Sequence, residues 1–270
     1  MRIDLHLHST ASDGSLSPSA LVWAARAGGL DVIAITDHDT CAGVEEARRA
    51  LATQLHVIPA IELSTTYQRC EQHILGYFIN PKNPALVEYA RGAVEKRHVR
   101  IEGMIERLKP YGITLSMSDV LANSEPGTRA LGRPHLARAL VQKGFVQTVS
   151  EAFERFIGDQ GPAFLPTDLL EPKHGFELIH QAGGIAVWAH PRATAVDQHL
   201  NDFVEWGLDG VECYRPNATP AETLHLEQIA QSRGLFTAGG SDWHGTWQGK
   251  LGDFYVTPEE VEKLLEFGGI

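Results

Sequence analysis

Apolar and polar residues alternate from the start of the chain, in Ile3-Asp4-Leu5-His6-Leu7-His8, and this period of two predicts a first strand. Side chains two apart share a face, so His6 and His8 project together while Ile3, Leu5 and Leu7 face apolar packing. A helical period takes over after Ser17-Pro18, with Leu21, Val22 and Ala25 as its stripe and Gly28-Gly29 as its end. Residues 31–36 read as a short buried strand stopping at Asp37-His38-Asp39, followed by a helix over about 43–53 and a strand over 56–62 that ends on Glu62. Such alternation predicts parallel βαβ units.

Between 81 and 162 the pattern changes to long helical stretches at 84–109, 133–143 and 149–157. These predict an inserted helical subdomain capping the site of a barrel formed by residues 1–80 and 163–270. Charges of both signs crowd the first of these helices, including Arg97 and Arg100, and predict a solvated face. Thr148-x-x-Glu151 resembles a capping box that opens the last one. The strand–helix rhythm then returns, with strands at 185–191, 210–214 and 235–238 separated by helices near 201–206 and over 220–232. His73 lies in a further short strand-like run, Gln72-His73-Ile74-Leu75-Gly76-Tyr77.

Composition narrows this picture. A chain of 270 residues with 43% hydrophobic and 21% charged residues suits one main α/β barrel, and no apolar run approaches the roughly 18 residues of a membrane span. The start of the chain shows neither a basic segment nor a long apolar run, so a cytoplasmic location is expected. Cys41, Cys70 and Cys213 form no CxxC, which fits reduced thiols. A net charge of -11 argues against coating nucleic acid by bulk electrostatics, but leaves room for a small phosphorylated nucleotide or a short RNA. No protein partner is evident.

One regularity carries the chemistry: ionisable residues recur where strands end. In a barrel of parallel strands those ends share one rim, where active sites are built. Six imidazoles (His6, His8, His38, His73, His190, His244) and three carboxylates (Asp13, Glu62, Asp242) can meet there. Each alone has a structural alternative, since a chain with 13 histidines produces an HxH by chance and a lone Glu62 can be an ion-pair partner. Together they point to metal, because burying so many polar groups without strong partners costs several kcal/mol apiece. Nitrogen and oxygen donors without thiolate fit zinc, manganese or iron.

With these residues in place, the chain resembles the PHP family, named for polymerase and histidinol phosphatase. The resemblance rests on His6-x-His8, Thr36-Asp37-His38, Glu62, Ala189-His190-Pro191 and Ser241-Asp242-x-His244, in that order along nearly the whole chain. It implies a distorted seven-stranded (β/α) barrel with three divalent ions. His6, His8, Glu62 and Asp242 would hold the first, a bridging Glu62 with His73 and His190 the second, and Asp13, His38 and His244 the third. Within the family, the helical insertion and Arg133-Pro134-His135-Leu136-Ala137 look most like the branch of nucleoside 3',5'-bisphosphate phosphatases and 5'-to-3' exoribonucleases. Members of that branch usually carry Thr where this chain has Pro134.

The implied activity is hydrolysis of nucleotide phosphate esters by a metal-bound hydroxide. Arg133 is the candidate clamp for a second phosphate, with Arg192 as another. His135 is a candidate for protonating the leaving oxygen or binding phosphate, and Asp37 for orienting its neighbour His38. A histidinol-phosphatase-like monoesterase shares the metal motifs and stands as the alternative. An amidohydrolase would usually add a carboxylated lysine, and no lysine stands at a strand end. A metal-holding accessory of a polymerase is the non-enzymatic alternative.

Overall fold

The computed structural model describes residues 1–50, 55–68, 70–124, 128, 130–166 and 170–270. Seven strands follow one another around a single sheet: β1 (Ile3–Leu7), β2 (Val32–Ile35), β3 (His56–Tyr67), β4 (Cys70–Tyr77), β5 (Ile185–Trp188), β6 (Gly210–Tyr214) and β7 (Phe236–Gly239). Its two edges meet, since the His8 N–H donates to the Trp243 carbonyl at 3.0 Å and Ile3 and Val256 exchange bonds of 3.0 and 2.8 Å. The helices are α1 (Pro18–Ala27), α2 (Val44–Ala50), α3 (Pro84–Leu108), α4 (Met117–Leu121), α5 (Arg133–Gln142), α6 (Val149–Ala152), α7 (Pro172–Gln181), α8 (Ala193–Glu205), α9 (Pro220–Arg233) and α10 (Glu262–Gly268). Ser17 caps α1 as its sequence predicts, accepting from the Ala20 N–H. The expected end of the 43–53 helix lies outside the described residues. No helix among them is long and apolar enough to cross a membrane.

The sheet is not uniformly parallel. β1–β2–β3 and β5–β6–β7 are, but β4 runs antiparallel to both neighbours. β3 does not stop at Glu62; it continues to Tyr67, turns at Gln68 (φ 48°) and returns as β4. A tight hairpin can only join antiparallel strands. Its consequence is functional, because the beginning of β4, with His73 opposite Ser64, reaches the rim where the parallel strands end.

The faces of the strands explain why that rim is polar. Ile58 and Ala60 of β3, Leu75 and Tyr77 of β4, and Val187 of β5 join Val32 and Ala34 in one buried apolar cluster. Two residues further along the same faces come Glu62 and His73. β1 departs from simple alternation. Its register shifts between Asp4 and Leu7, so Ile3 and Leu5 join that inner cluster while Leu7 packs in another, with Leu21, Ile33 and Ile35. An irregularity of this kind re-aims a side chain, and it lets Leu5 and His6 both serve the interior.

Between β4 and β5 the helices α3 to α6 build an apolar cluster of their own, running from Ile101 to Ala163. α3 bridges it to the barrel, where Leu86 and Tyr89 join the cluster of Phe176 and Trp188. The charged face expected to be solvated is only partly so. Arg97 is 3% exposed and Arg100 9%, because each meets a carboxylate: Arg97 Nε donates to Asp39 Oδ2 at 2.7 Å and Arg100 Nη2 to Glu71 Oε1 at 2.5 Å. The 149–157 helix is split, α6 giving way to a wider π turn over Phe153–Ile157. Thr148 caps α6, but Glu151 reaches back to the Gln147 N–H at 2.7 Å rather than to Thr148.

The Arg97–Asp39 pair therefore pins α3 to the rim. Replacing Arg97 with Met should leave Asp39 buried and short of its partner, lowering stability by about 3 kcal/mol. Replacing Arg91, whose side chain is 77% exposed, with Ala should change it by less than about 0.5 kcal/mol. Urea denaturation of both variants checks the contrast.

Candidate metal centre

Glu62, wholly buried, is the hub of the rim. Its Oε1 lies 2.9 Å from His73 Nδ1 and 3.2 Å from His190 Nε2. Its Oε2 lies 3.3 Å from His6 Nε2, 3.2 Å from His8 Nε2 and 3.1 Å from His38 Nδ1. Asp242 Oδ1 faces the same pair from the other side, 3.3 Å from His6 Nε2 and 3.1 Å from His8 Nε2. Asp13 Oδ1 is 3.4 Å from His244 Nε2, and Asp13 Oδ2 is 4.0 Å from His38 Nε2. All nine residues read from the sequence as ligands thus gather at one rim, with His6, His8 and Glu62 fully buried beneath the others.

The arrangement fits cations. Among the described residues, His6 Nε2, His8 Nδ1 and Nε2, Asp13 Oδ1, His38 Nδ1 and Glu62 Oε2 are buried without a hydrogen-bond partner. Each such atom costs about 1–3 kcal/mol if left unmatched. Three groups have donor atoms close enough to share an ion: His6, His8, Glu62 and Asp242; His8, Asp13, His38 and His244; and His38, Glu62 and His73. His190 adjoins the last through Glu62 and packs edge-on to His73, with ring centroids 5.1 Å apart. Nitrogen and oxygen donors without thiolate are the set that zinc, manganese and iron accept.

Surrounding groups set the orientation of these side chains. Glu212 accepts from His6 Nδ1 at 2.9 Å and from the His190 N–H at 2.6 Å, which leaves the His6 Nε2 lone pair aimed at Glu62 and Asp242. Asp4 accepts from the Ser241 N–H at 2.9 Å, steadying the Asp242 loop. The Asp37 carboxylate turns to the loop after β1. It accepts from the Ser9 N–H and Oγ, both at 2.7 Å, and from Ser12 Oγ at 2.8 Å, folding the loop that delivers Asp13. Asp39, His190 and Asp242 all have positive φ (53°, 31° and 52°), an uncommon backbone state for residues other than glycine and one that gathers here at the rim.

The charges are strongly coupled. Burial disfavours ionised Glu62, but the imidazoles of His38, His6 and His73 outweigh it and hold the carboxyl well below its usual range. Burial likewise disfavours ionised His8, yet Asp242 and Glu62 push it up to about 10. In the absence of a cation, His8 therefore carries a proton at neutral pH.

Beyond the ligands the rim opens into a cleft of about 370 Å³ lined by Arg97, Arg100, Arg133, Phe153 and Trp247 among others. Arg133 Nη1 donates to Asp159 Oδ1 at 2.7 Å, and its Nη2 to Glu71 Oε2 at 3.2 Å. Arg192 does not line this cleft; its side chain is 83% exposed and lies 3.8 Å from Asp159. His135 is buried, and its Nδ1 accepts from the Gly132 N–H at 3.0 Å, closing the first turn of α5. Burial pushes His135 down to about 4, so it is neutral at pH 7. Gly132 stands so near Asp13 that a Cβ there would come within 2.6 Å of Oδ2, and a side chain would disturb that carboxylate.

A model of the PHP domain matches residues 4–117. The chain is 37% identical over 257 residues to the 5'-3' exoribonuclease of Haemophilus influenzae, with 90% of each chain covered. It belongs to the PHP family. Another relative is the 3',5'-nucleoside bisphosphate phosphatase of Chromobacterium violaceum, 29% identical over 259 residues that cover 92% of this chain and 88% of that one. Among solved structures, a metal-dependent phosphoesterase of Bifidobacterium adolescentis superposes with a TM-score of 0.88 at 32% identity, covering 97% and 95% of the two chains.

Several residues around this PHP rim escape a sequence reading. Glu212 lies inside an apolar strand, and that placement of an acid was its only signal. Asp39, Glu71 and Arg97 draw their partners from distant segments, which spacing does not reveal.

Cation binding to this cluster must displace protons from the imidazoles. Manganese affinity should therefore rise from pH 6 to 8.5 without levelling near 7, with proton release visible when calorimetric heats are compared across buffers of different ionisation enthalpy. Glu62→Gln should lose more bound metal than His190→Ala, since Glu62 enters two of the ligand groups; elemental analysis of the purified variants gives the comparison.

Proposed function

We propose that this chain is a cytoplasmic, metal-dependent phosphoesterase that hydrolyses phosphate esters of nucleotides, taking nucleoside 3',5'-bisphosphates and the 5' ends of short oligoribonucleotides. The observation that carries this reading is the nitrogen–oxygen ligand cluster opening directly onto a cleft walled by Arg97, Arg100 and Arg133. Relatives named as an exoribonuclease and as a nucleoside bisphosphate phosphatase support it.

In this reading three divalent ions occupy the cluster: His6, His8, Glu62 and Asp242 hold the first, Glu62, His73 and His190 the second, and Asp13, His38 and His244 the third. Bound there, they supply an activated water and neutralise the phosphoryl oxygens. The chain does the rest. Glu212 keeps His6 in the tautomer that presents Nε2, and Asp37 holds the loop of Asp13. Arg133 binds the phosphate that is not cleaved, exchanging its contacts with Asp159 and Glu71 for a charge-assisted pair. Its partner Glu71 is shared with Arg100, so Glu71 keeps a guanidinium partner when Arg133 turns to the phosphate. His135, neutral and engaged as a helix cap, serves to position α5 and with it Arg133. Residues 81–162 act as the cap that carries these cations over the barrel of 1–80 and 163–270, as their separate apolar cluster supports.

Among the described residues no lysine lines the cleft, which counts against an amidohydrolase with a carboxylated lysine. The manganese-supplemented chain should release phosphate from adenosine 3',5'-bisphosphate and shorten a 5'-phosphorylated RNA from its 5' end, while turning over histidinol phosphate poorly. Turnover of histidinol phosphate alone would keep the metal centre and reject the nucleotide reading. Arg133→Ala should raise KM for the bisphosphate about 10-fold or more and spare a simple phosphate monoester; equal losses on both would remove Arg133 from this role.

A further inference from the structure

One aromatic side chain at the mouth of the cleft is held in place yet left open. Trp247 lines the cleft, and 53% of its side chain remains accessible. It lies on the short turn Thr246–Gln248, three residues past the ligand His244. Gln248 ties that turn to the ligand loop, its Oε1 accepting from the His244 N–H at 2.5 Å and its Nε2 donating to the Asp242 carbonyl at 3.1 Å. The indole also lies against Gly245, where a Cβ would come within 2.0 Å of its six-membered ring, so only glycine seats it there. From the insertion, Arg138 places its guanidinium 5.3 Å from the ring centroid while its Nη2 donates to the Asp13 carbonyl at 2.7 Å. The ring is thus fixed to both loops that carry the ligands Asp13, Asp242 and His244.

An exposed indole in open water loses free energy, and nothing in barrel packing requires this one. Trp23 is as exposed, at 56%, but sits on α1 away from the cleft. Trp247 therefore offers a π face at a fixed place beside the ligand cluster. A sugar phosphate or an aliphatic phosphomonoester has no π face to stack on it. A purine or pyrimidine does, and base–aromatic stacking tolerates any base.

We propose that Trp247 is a nucleobase-stacking subsite and sets the preference of this centre for nucleotides over base-free phosphate esters. This deepens the nucleotide reading above and rests on it. It also predicts little discrimination among the four bases, since every base presents a π face.

The test compares wild type, Trp247→Ala and Trp247→Phe, each loaded with manganese, on adenosine 3',5'-bisphosphate and on its abasic tetrahydrofuran analogue. Trp247→Ala should raise KM for the adenosine compound relative to the abasic one by about 5- to 100-fold, with kcat little changed, and Trp247→Phe should recover much of the loss. An equal rise on both compounds, or no rise on either, overturns the proposal. Quenching of indole fluorescence by adenosine 5'-monophosphate gives a readout independent of turnover: it should be strong in wild type and largely lost in Trp247→Ala. If wild type cleaves neither compound, the nucleotide phosphoesterase reading fails, and the quenching still decides whether Trp247 stacks a base.

Discussion

Five imidazoles face the two oxygens of one buried carboxylate, and most of the rim follows from that. Glu62 sits at zero exposure with His73 and His190 on one oxygen and His6, His8 and His38 on the other. A buried carboxylate needs positive charge nearby, and neutral imidazoles supply none. Protons on some of the rings or cations between them must balance it. Cations do so while also satisfying the ring nitrogens that have no other partner, so the same atoms that strain the bare site make it receptive.

Holding this cluster demands precision from elements far apart in the chain. The β3–β4 hairpin brings His73 opposite Ser64, and the shift within β1 turns His6 inward next to Leu5. Glu212 and Asp4 fix the loops after β5 and β7, and Asp37 fixes the loop after β1. Asp39 then carries the order outward, binding Arg97 and Tyr89 of α3 and so the helical insertion. The cleft is consequently half barrel and half insertion, with the carboxylate–imidazole cluster on one wall and guanidiniums on the other. With cations bound in that cluster, both walls would draw the charged group of a phosphate ester.

Much of this was legible in the sequence because strand ends are local features. The run from Ile3 to His8, Asp37-His38 and Asp242-x-His244 each place ionisable side chains where an apolar strand ends, and the structure brings all of them to one rim. The direction of β4 was not legible, since a hairpin and a crossover differ in how the chain turns rather than in which residues are apolar. Nor was the burial of Arg97 and Arg100: a helix crowded with both signs reads as solvated until its carboxylate partners, Asp39 and Glu71, arrive from other elements. Arg192 lies further out. Its position after His190-Pro191 suggested a place in the site, but the start of α8 turns it to solvent.

The most direct measurement is an anomalous difference map from crystals of the manganese-loaded chain. Peaks on both sides of Glu62, one beside His6, His8 and Asp242 and another beside His73 and His190, with a third near Asp13, His38 and His244, are the predicted result. A map at saturating manganese with no peak touching Glu62 would contradict the account, because the carboxylate would then be balanced by protons alone.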